Sequence, residues 1–196
     1  MKKIILITIS LCFFLNVNAQ RKKSQQYDLK SSQLSGLKFR SVGPAFMSGR
    51  IADIAINPEN ENEWYVAVGS GGVWKTSNSG TTWTPIADDQ PFYSTGSITI
   101  DPHNSSKIWL GTGENVGGRH VGIGHGVYMS ENGGKKWKDM GLKSSEHISK
   151  IIVSPNDPNL VFVASQGPLW SPGGDRGLFR STNGGEDWEN EIGRAH

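Results

Sequence analysis

Apolar and polar positions alternate in short bursts along this chain, and the bursts recur in one order three times. Residues 51–57 read IADIAIN, the two-residue period of a half-buried strand, and 97–101 and 148–154 repeat it. Each of these strands runs into a proline turn, at Asn57-Pro58-Glu59-Asn60, Asp101-Pro102-His103-Asn104 and Ser154-Pro155-Asn156-Asp157-Pro158-Asn159. Proline cannot continue a ladder, so the chain is expected to reverse there. Second strands follow at 64–68, 107–110 and 160–164, rich in branched and aromatic residues. Third strands begin at Gly72-Val73-Trp74, Gly126-Val127-Tyr128 and Gly177-Leu178-Phe179. They lead into TSNSGTTW, SENGGKKW and STNGGEDW, after which a fourth strand returns.

The three octets share Ser or Thr, Asn, Gly and Trp at fixed places: Thr76, Asn78, Gly80 and Trp83; Ser130, Asn132, Gly134 and Trp137; Ser181, Asn183, Gly185 and Trp188. Such a segment predicts a hairpin in which Asn caps backbone amides, Gly takes a positive φ and Trp packs inward. The tryptophans lie 54 and 51 residues apart (83, 137, 188), in the range of a four-stranded β-propeller blade. The expected fold is all-β: a β-propeller fragment of about three four-stranded antiparallel blades, at about 50–86, 95–140 and 147–190 within a partial propeller over 37–190. Three blades do not close a ring, and an open ring would expose long strand edges. The natural protein is therefore expected to be longer, with further C-terminal blades as partners of these. Residues 191–196 (EIGRAH) are expected to be a non-native tail, since GAG ATC GGA AGA GCA CAC would encode them and match a common sequencing adapter.

Composition adds an address. Lys2 and Lys3 precede an apolar run from Ile4 to Leu15 and the small-residue end Val17-Asn18-Ala19, which reads as a secretory signal peptide over 1–19. The run is shorter than the roughly 20 apolar residues of a membrane span. The protein is thus expected to be exported, to the periplasm, cell surface or medium, with no membrane segment once the signal is removed. Cys12 lies inside that run and is the chain's single cysteine, so a mature form has neither disulfide nor thiolate metal site. Residues 20–36 are polar and rich in Ser, Gln and Lys, and read as a flexible leader. Of the 20 Lys and Arg, two fall in the signal, leaving 18 against 18 Asp and Glu. That neutral balance leaves no electrostatic footprint for nucleic acid.

Strand parity puts the proline turns and the repeated Asn-Gly turns at one end of the blades, and the second-to-third and blade-to-blade connections at the other. Two second-to-third connections are long, 111–125 and 165–176, whereas the first unit has only GSGG. Long loops in compact repeats are usually functional or disordered. The first carries Glu114, Arg119, His120 and His125; the second carries Gln166, Trp170, Asp175 and Arg176. An aromatic side chain among Arg, amide and carboxylate groups suits a sugar or peptide ligand. The opposing interpretation is that glycines merely turn these loops, their charges solvated or paired, with Trp170 capping a blade core. Arg50, entering the first strand, could hold a ligand carboxylate or pair with an acidic neighbour. His147 opens the third unit at the same end, but no nucleophile accompanies it. His120 and His125, with Glu114 nearby, lack tight ligand spacing, so no metal and no other cofactor is expected. Glu114 and Asp175 are the candidate catalytic carboxylates, and each could equally be structural.

The octets resemble the Asp-box, or bacterial neuraminidase repeat, Ser-x-Asp-x-Gly-x-Thr-Trp, with Asn78, Asn132 and Asn183 in place of Asp. The stretch 48–83 (SGRIADIAINPENENEWYVAVGSGGVWKTSNSGTTW) looks like the opening of secreted bacterial proteins with a sortilin N-terminal-like propeller. The resemblance implies a propeller, twelve structural motif positions, and a peptide, glycan or envelope protein as partner. It also implies the alternative of a glycoside hydrolase of the sialidase or xyloglucanase type with catalytic residues partly in later blades. Sialidases carry Phe or Tyr, Arg, Ile, Pro; here Phe39-Arg40 is followed by Ser41-Val42. Xyloglucanases carry a catalytic Asp just before the Gly-Gly of the first blade's third strand; here Gly69-Ser70 stand before Gly71-Gly72.

Overall fold

A computed structural model describes residues 30–33, 36, 49–115 and 121–192. The chain divides into two compact units, Met1–Ala45 and Phe46–His196. In the first, the described element is a single 3-10 turn, Ser31–Gln33, where Gln33 Oε1 accepts the Lys30 amide at 2.9 Å. The signal over 1–19 and most of the leader lie outside the described residues.

The described residues of the second unit form twelve strands in three antiparallel sheets, each laid out in chain order. The first sheet holds β1 (Ile51–Ile56), β2 (Trp64–Val68), β3 (Gly72–Thr76) and β4 (Thr84–Pro85). The second holds β5 (Thr95–Asp101), β6 (Asn104–Thr112), β7 (Val127–Ser130) and β8 (Lys138–Asp139). The third holds β9 (Ile148–Val153), β10 (Val161–Ser165), β11 (Gly177–Ser181) and β12 (Glu189–Ile192). All three expected blades are present. β6 is longer than the run 107–110 because Asp101 pairs directly with Asn104, leaving Pro102 and His103 as the hairpin tip. Glu191 and Ile192 continue β12, with Ile192 opposite Leu178.

Alternation along the strands explains how the sheets stack. On β6, Ile108 and Leu110 enter a core shared with the first sheet, containing Tyr65, Val73, Phe92, Ile98 and Tyr128. Trp109 points the other way, into a core shared with the third sheet, containing Val127, Met129, Ile151, Val163 and Phe179. The middle blade is therefore buried on both faces, which is why its second strand reads as a continuous apolar run rather than an alternating one.

The repeated octet folds as its spacing predicts. In the second blade Ser130 Oγ donates to Asn132 Oδ1 (3.1 Å) and accepts the amides of Asn132 (3.3 Å) and Gly134 (2.9 Å), while Asn132 Oδ1 accepts the Lys136 amide at 2.8 Å. Thr76 with Asn78, and Ser181 with Asn183, repeat this pattern. Gly80, Gly134 and Gly185 sit at φ +85°, +84° and +89°. Each turn rests on its own blade's proline turn: Ser79, Gly133 and Gly184 donate their amides to Asn62, Ser106 and Asn159.

The tryptophans staple blades together. Trp137 Nε1 reaches the carbonyl of Ile86 (3.5 Å), and Trp188 Nε1 that of Met140 (2.7 Å), in each case just past the last strand of the preceding blade. Trp83 departs from the expected inward packing. It is 39% exposed and touches Trp64 edge-on at 6.4 Å.

A charged network closes the proline-turn end of the first blade. Glu63 takes Tyr65 Oη (2.8 Å), Asn57 Nδ2 (3.2 Å) and Lys75 Nζ (2.7 Å). Burial, the largest single influence, pushes its carboxyl up, but the hydrogen bonds from Lys75, Tyr65 and Asn57 and the Lys75 charge outweigh it, so the pKa falls. A depressed folded pKa gives stability that is present above the unfolded value of about 4.3 and lost as pH falls through the folded one. The melting-temperature gap between wild type and Glu63→Gln should therefore be open at neutral pH and narrow in acid. A gap unchanged at about pH 3 would remove the network from the stability of this blade.

Candidate functional site

The end opposite the repeated turns is assembled from all three blades, and its centre is a buried carboxylate. Glu114 follows β6 and is 2% exposed. Its Oε1 accepts Arg50 Nε at 2.5 Å, the Arg50 Nη2 also contacts it, and its Oε2 accepts the Gly122 amide at 3.2 Å. A charge out of water is tolerated only when paired and hydrogen-bonded, and Arg50 at the mouth of β1 provides both. Gly69 leaves room for it: a Cβ there would stand 2.7 Å from Glu114 Oε1. The Glu114 amide and the Gly122 carbonyl complete the closure at 2.9 Å.

The third blade joins through His147, also 2% exposed, whose Nδ1 lies 2.9 Å from the Glu114 carbonyl. A carbonyl only accepts, so Nδ1 carries the proton. Gln166 Nε2 donates to the Asn115 carbonyl at 3.1 Å, and Asn115 Nδ2 donates to the Gly96 carbonyl at 2.6 Å. Ser94 Oγ spans the first and second blades, within 2.7 Å of the Gly69 carbonyl and 3.0 Å of that of Gly122.

The loop after β10 is braced separately. Asp175 Oδ2 accepts the Ser144 amide at 3.0 Å and the Asp175 amide returns a bond to the Ser144 carbonyl. Ser165 Oγ donates to the Asp175 carbonyl, and Arg176 Nη2 to the carbonyls of Pro168 and Ser171. From this closed loop Trp170 projects with 84% of its surface exposed, so it does not cap a blade core.

Of the residues singled out in the sequence, Arg50, Glu114 and His147 meet in one constellation, the glutamate and histidine buried and the arginine half-exposed, with Gln166 at its edge. Asp175 and Arg176 bind backbone and hold the loop that presents Trp170. His125 is exposed, its amide on Thr112 Oγ1 at 2.7 Å. Arg119 and His120 lie outside the described residues. Gly69, Ser94 and Asn115 were not foreseen, because an uncharged residue in a connection carries no signal of what packs upon it. Asn115 Oδ1 and Ser145 Oγ are buried at this end without a partner among the described residues. Among the described residues no three His, Cys, Asp or Glu side chains gather in a metal-sized cluster, and no helix is long and apolar enough to cross a membrane.

Solved structures carry the same layout. An ancestral GH74 enzyme matches 74% of this chain with a TM-score of 0.57 and 23% identity, over 19% of its own length. The GH74 xyloglucanase of Xanthomonas campestris matches 74% with a TM-score of 0.55 and 17% identity, over 24% of its length. The GH74 enzyme of Niastella koreensis matches 73% with a TM-score of 0.53 and 22% identity, over 22% of its length. The three sheets are propeller blades. A probable oligoxyloglucan-reducing end-specific xyloglucanase of Neosartorya fischeri is 24% identical over 130 residues, 60% of this chain and 15% of that protein. The chain thus spans a quarter or less of each relative's length, and no protein-family model matches it. At these identities the shared propeller shows architecture, and the chemistry of the site has to be argued from its own residues.

Proposed function

We propose that this chain is part of an exported Asp-box propeller of the glycoside-hydrolase type, whose long-loop end takes hold of a polysaccharide. The observation that carries it is Trp170, an exposed indole on a loop braced by Asp175 and Arg176, at the end where three blades converge. An apolar ring fixed in place offers a sugar face a stacking surface at little ordering cost. The likeness to xyloglucanases supports a glycan over a peptide or an envelope protein.

Hydrolysis of a glycosidic bond needs two carboxyl groups facing the substrate, about 5 to 10 Å apart. Glu114 is buried in its ion pair with Arg50, and Asp175 is occupied by the Ser144 amide. We assign these blades the holding of the glycan, with Glu114 as a fastener rather than an acid or nucleophile. In the full-length protein, Trp170→Ala should weaken binding of xyloglucan oligosaccharides about tenfold while leaving thermal unfolding nearly unchanged. Isothermal titration with wild type and variant checks this, and equal affinity for both would remove Trp170 from the site.

A further inference from the structure

The segment between β4 and β5 forms a cleft of its own. It is lined by Gly72, Ala87, Asp88, Gln90, Pro91, Phe92 and Tyr93, and its volume is ≈ 490 Å³. That falls within the roughly 300 to 1,000 Å³ of small-ligand sites. As a blade-to-blade connection it lies at the same end of the sheets as Glu114 and Trp170. The first blade's second-to-third connection is only Gly69-Ser70-Gly71.

Its backbone is held from several sides. Phe92 is buried 4.6 Å from Tyr128 and 5.8 Å from Trp137, ring centroid to centroid. The Tyr93 carbonyl accepts the Gly72 amide at 2.9 Å, and Ser94 and Thr95 donate their hydroxyls to the carbonyls of Gly69 and Val68 at 2.7 Å each. A turn closes between Ala87 and Gln90 at 3.1 Å. Yet Tyr93 is 67% exposed. A tyrosine left in water on an anchored backbone, between two buried neighbours, is not explained by packing. Asp88 and Gln90 line the same cleft, and neither makes a side-chain bond among the described residues.

Resting on the glycan reading above, we infer that this cleft is a second saccharide subsite, with Tyr93 as stacking platform and Asp88 and Gln90 as hydrogen-bond partners of ring hydroxyls. The carboxylate accepts from two hydroxyls and the amide both donates and accepts, which suits a polyol. Asp88 and Asp89 are both exposed, and among the described residues no Lys or Arg lines the cleft. A uronic or sialic acid would meet like charge there, so the ligand class is a neutral oligosaccharide.

The test is isothermal titration of the full-length protein with cellotetraose and xyloglucan oligosaccharides, and with oligogalacturonate as the acidic comparison. Tyr93→Ala should weaken neutral oligosaccharides about tenfold, Tyr93→Phe should bind as wild type, and both should melt with wild type. Neutral binding that survives Tyr93→Ala but falls with Trp170→Ala overturns this subsite and leaves the glycan reading standing. Oligogalacturonate bound as tightly as the neutral sugars overturns the ligand class. A wild type that binds no neutral oligosaccharide overturns both proposals.

Discussion

Gly185→Ala is expected to cost the full-length protein about 3 kcal/mol of stability, from two additive sources. Gly185 sits at φ +89°, where an L side chain costs about 1 to 2 kcal/mol. An added Cβ would also stand 2.7 and 2.9 Å from the Trp109 ring and 3.2 Å from the Met140 methyl. Trp109 is fully buried on the preceding blade, so the ring cannot swing into solvent, and overpacking of this kind costs about 1 to 3 kcal/mol. Its neighbour provides an internal control. Gly184 has φ +72° but meets only Asn159 Oδ1 at 3.7 Å, so Gly184→Ala should show the backbone cost alone. Urea unfolding of the two variants separates strain from contact. Equal midpoints would show that the third blade's turn does not bear on the interface with the second.

The second large effect is expected at Glu114→Gln. The carboxylate accepts on both oxygens, from Arg50 and from the Gly122 amide, and a glutamine can keep only one of these while turning an N–H toward the other donor. Breaking a buried ion pair costs about 3 to 5 kcal/mol. Arg50 is 48% exposed and can recover water, which brings the expected loss to about 2 kcal/mol. The loss is local, so the sensitive readout is hydrogen exchange at the Gly122 amide, expected to quicken roughly thirtyfold as that loop opens more often. Exchange at wild-type rate would mean that backbone bonds alone hold the loop and that the Arg50–Glu114 pair is incidental. A catalytic Glu114 would instead show as lost turnover with unchanged exchange.

Much of the fold was legible because it is written in local chemistry. Thr76, Ser130 and Ser181 bond to an Asn two residues on and to a Gly amide four residues on, contacts that sequence spacing alone specifies. The proline turns likewise close within a few residues. Period-2 alternation then assigns faces, and only the middle blade, apolar on both, blurs that signal. Trp83 marks where local pattern stops being sufficient. Its motif matches those of Trp137 and Trp188, but burial of a staple depends on the neighbour it clasps.

The candidate site was legible as a set of loops and not as a set of contacts. Arg50 and Glu114 are 64 positions apart, and nothing in either segment announces the other. Trp170 and Trp109 look alike as indoles in β-rich surroundings, yet one is 84% exposed and the other fully buried. Tyr93 drew no notice because it lies in a blade-to-blade connection rather than in one of the long second-to-third loops.

By itself the sequence determined the repeat, the strand order within each blade, the geometry of the Asn-Gly turns and the end of the blades where long loops gather. These follow from interactions within about a dozen residues. The tertiary structure alone decided that Glu114 is clamped rather than free, that Asp175 and Arg176 brace a loop, and that Trp170 and Tyr93 face water. Each of those outcomes is set by which blade lies alongside, and side-chain burial and ion pairing between blades have no period along the chain to be read from.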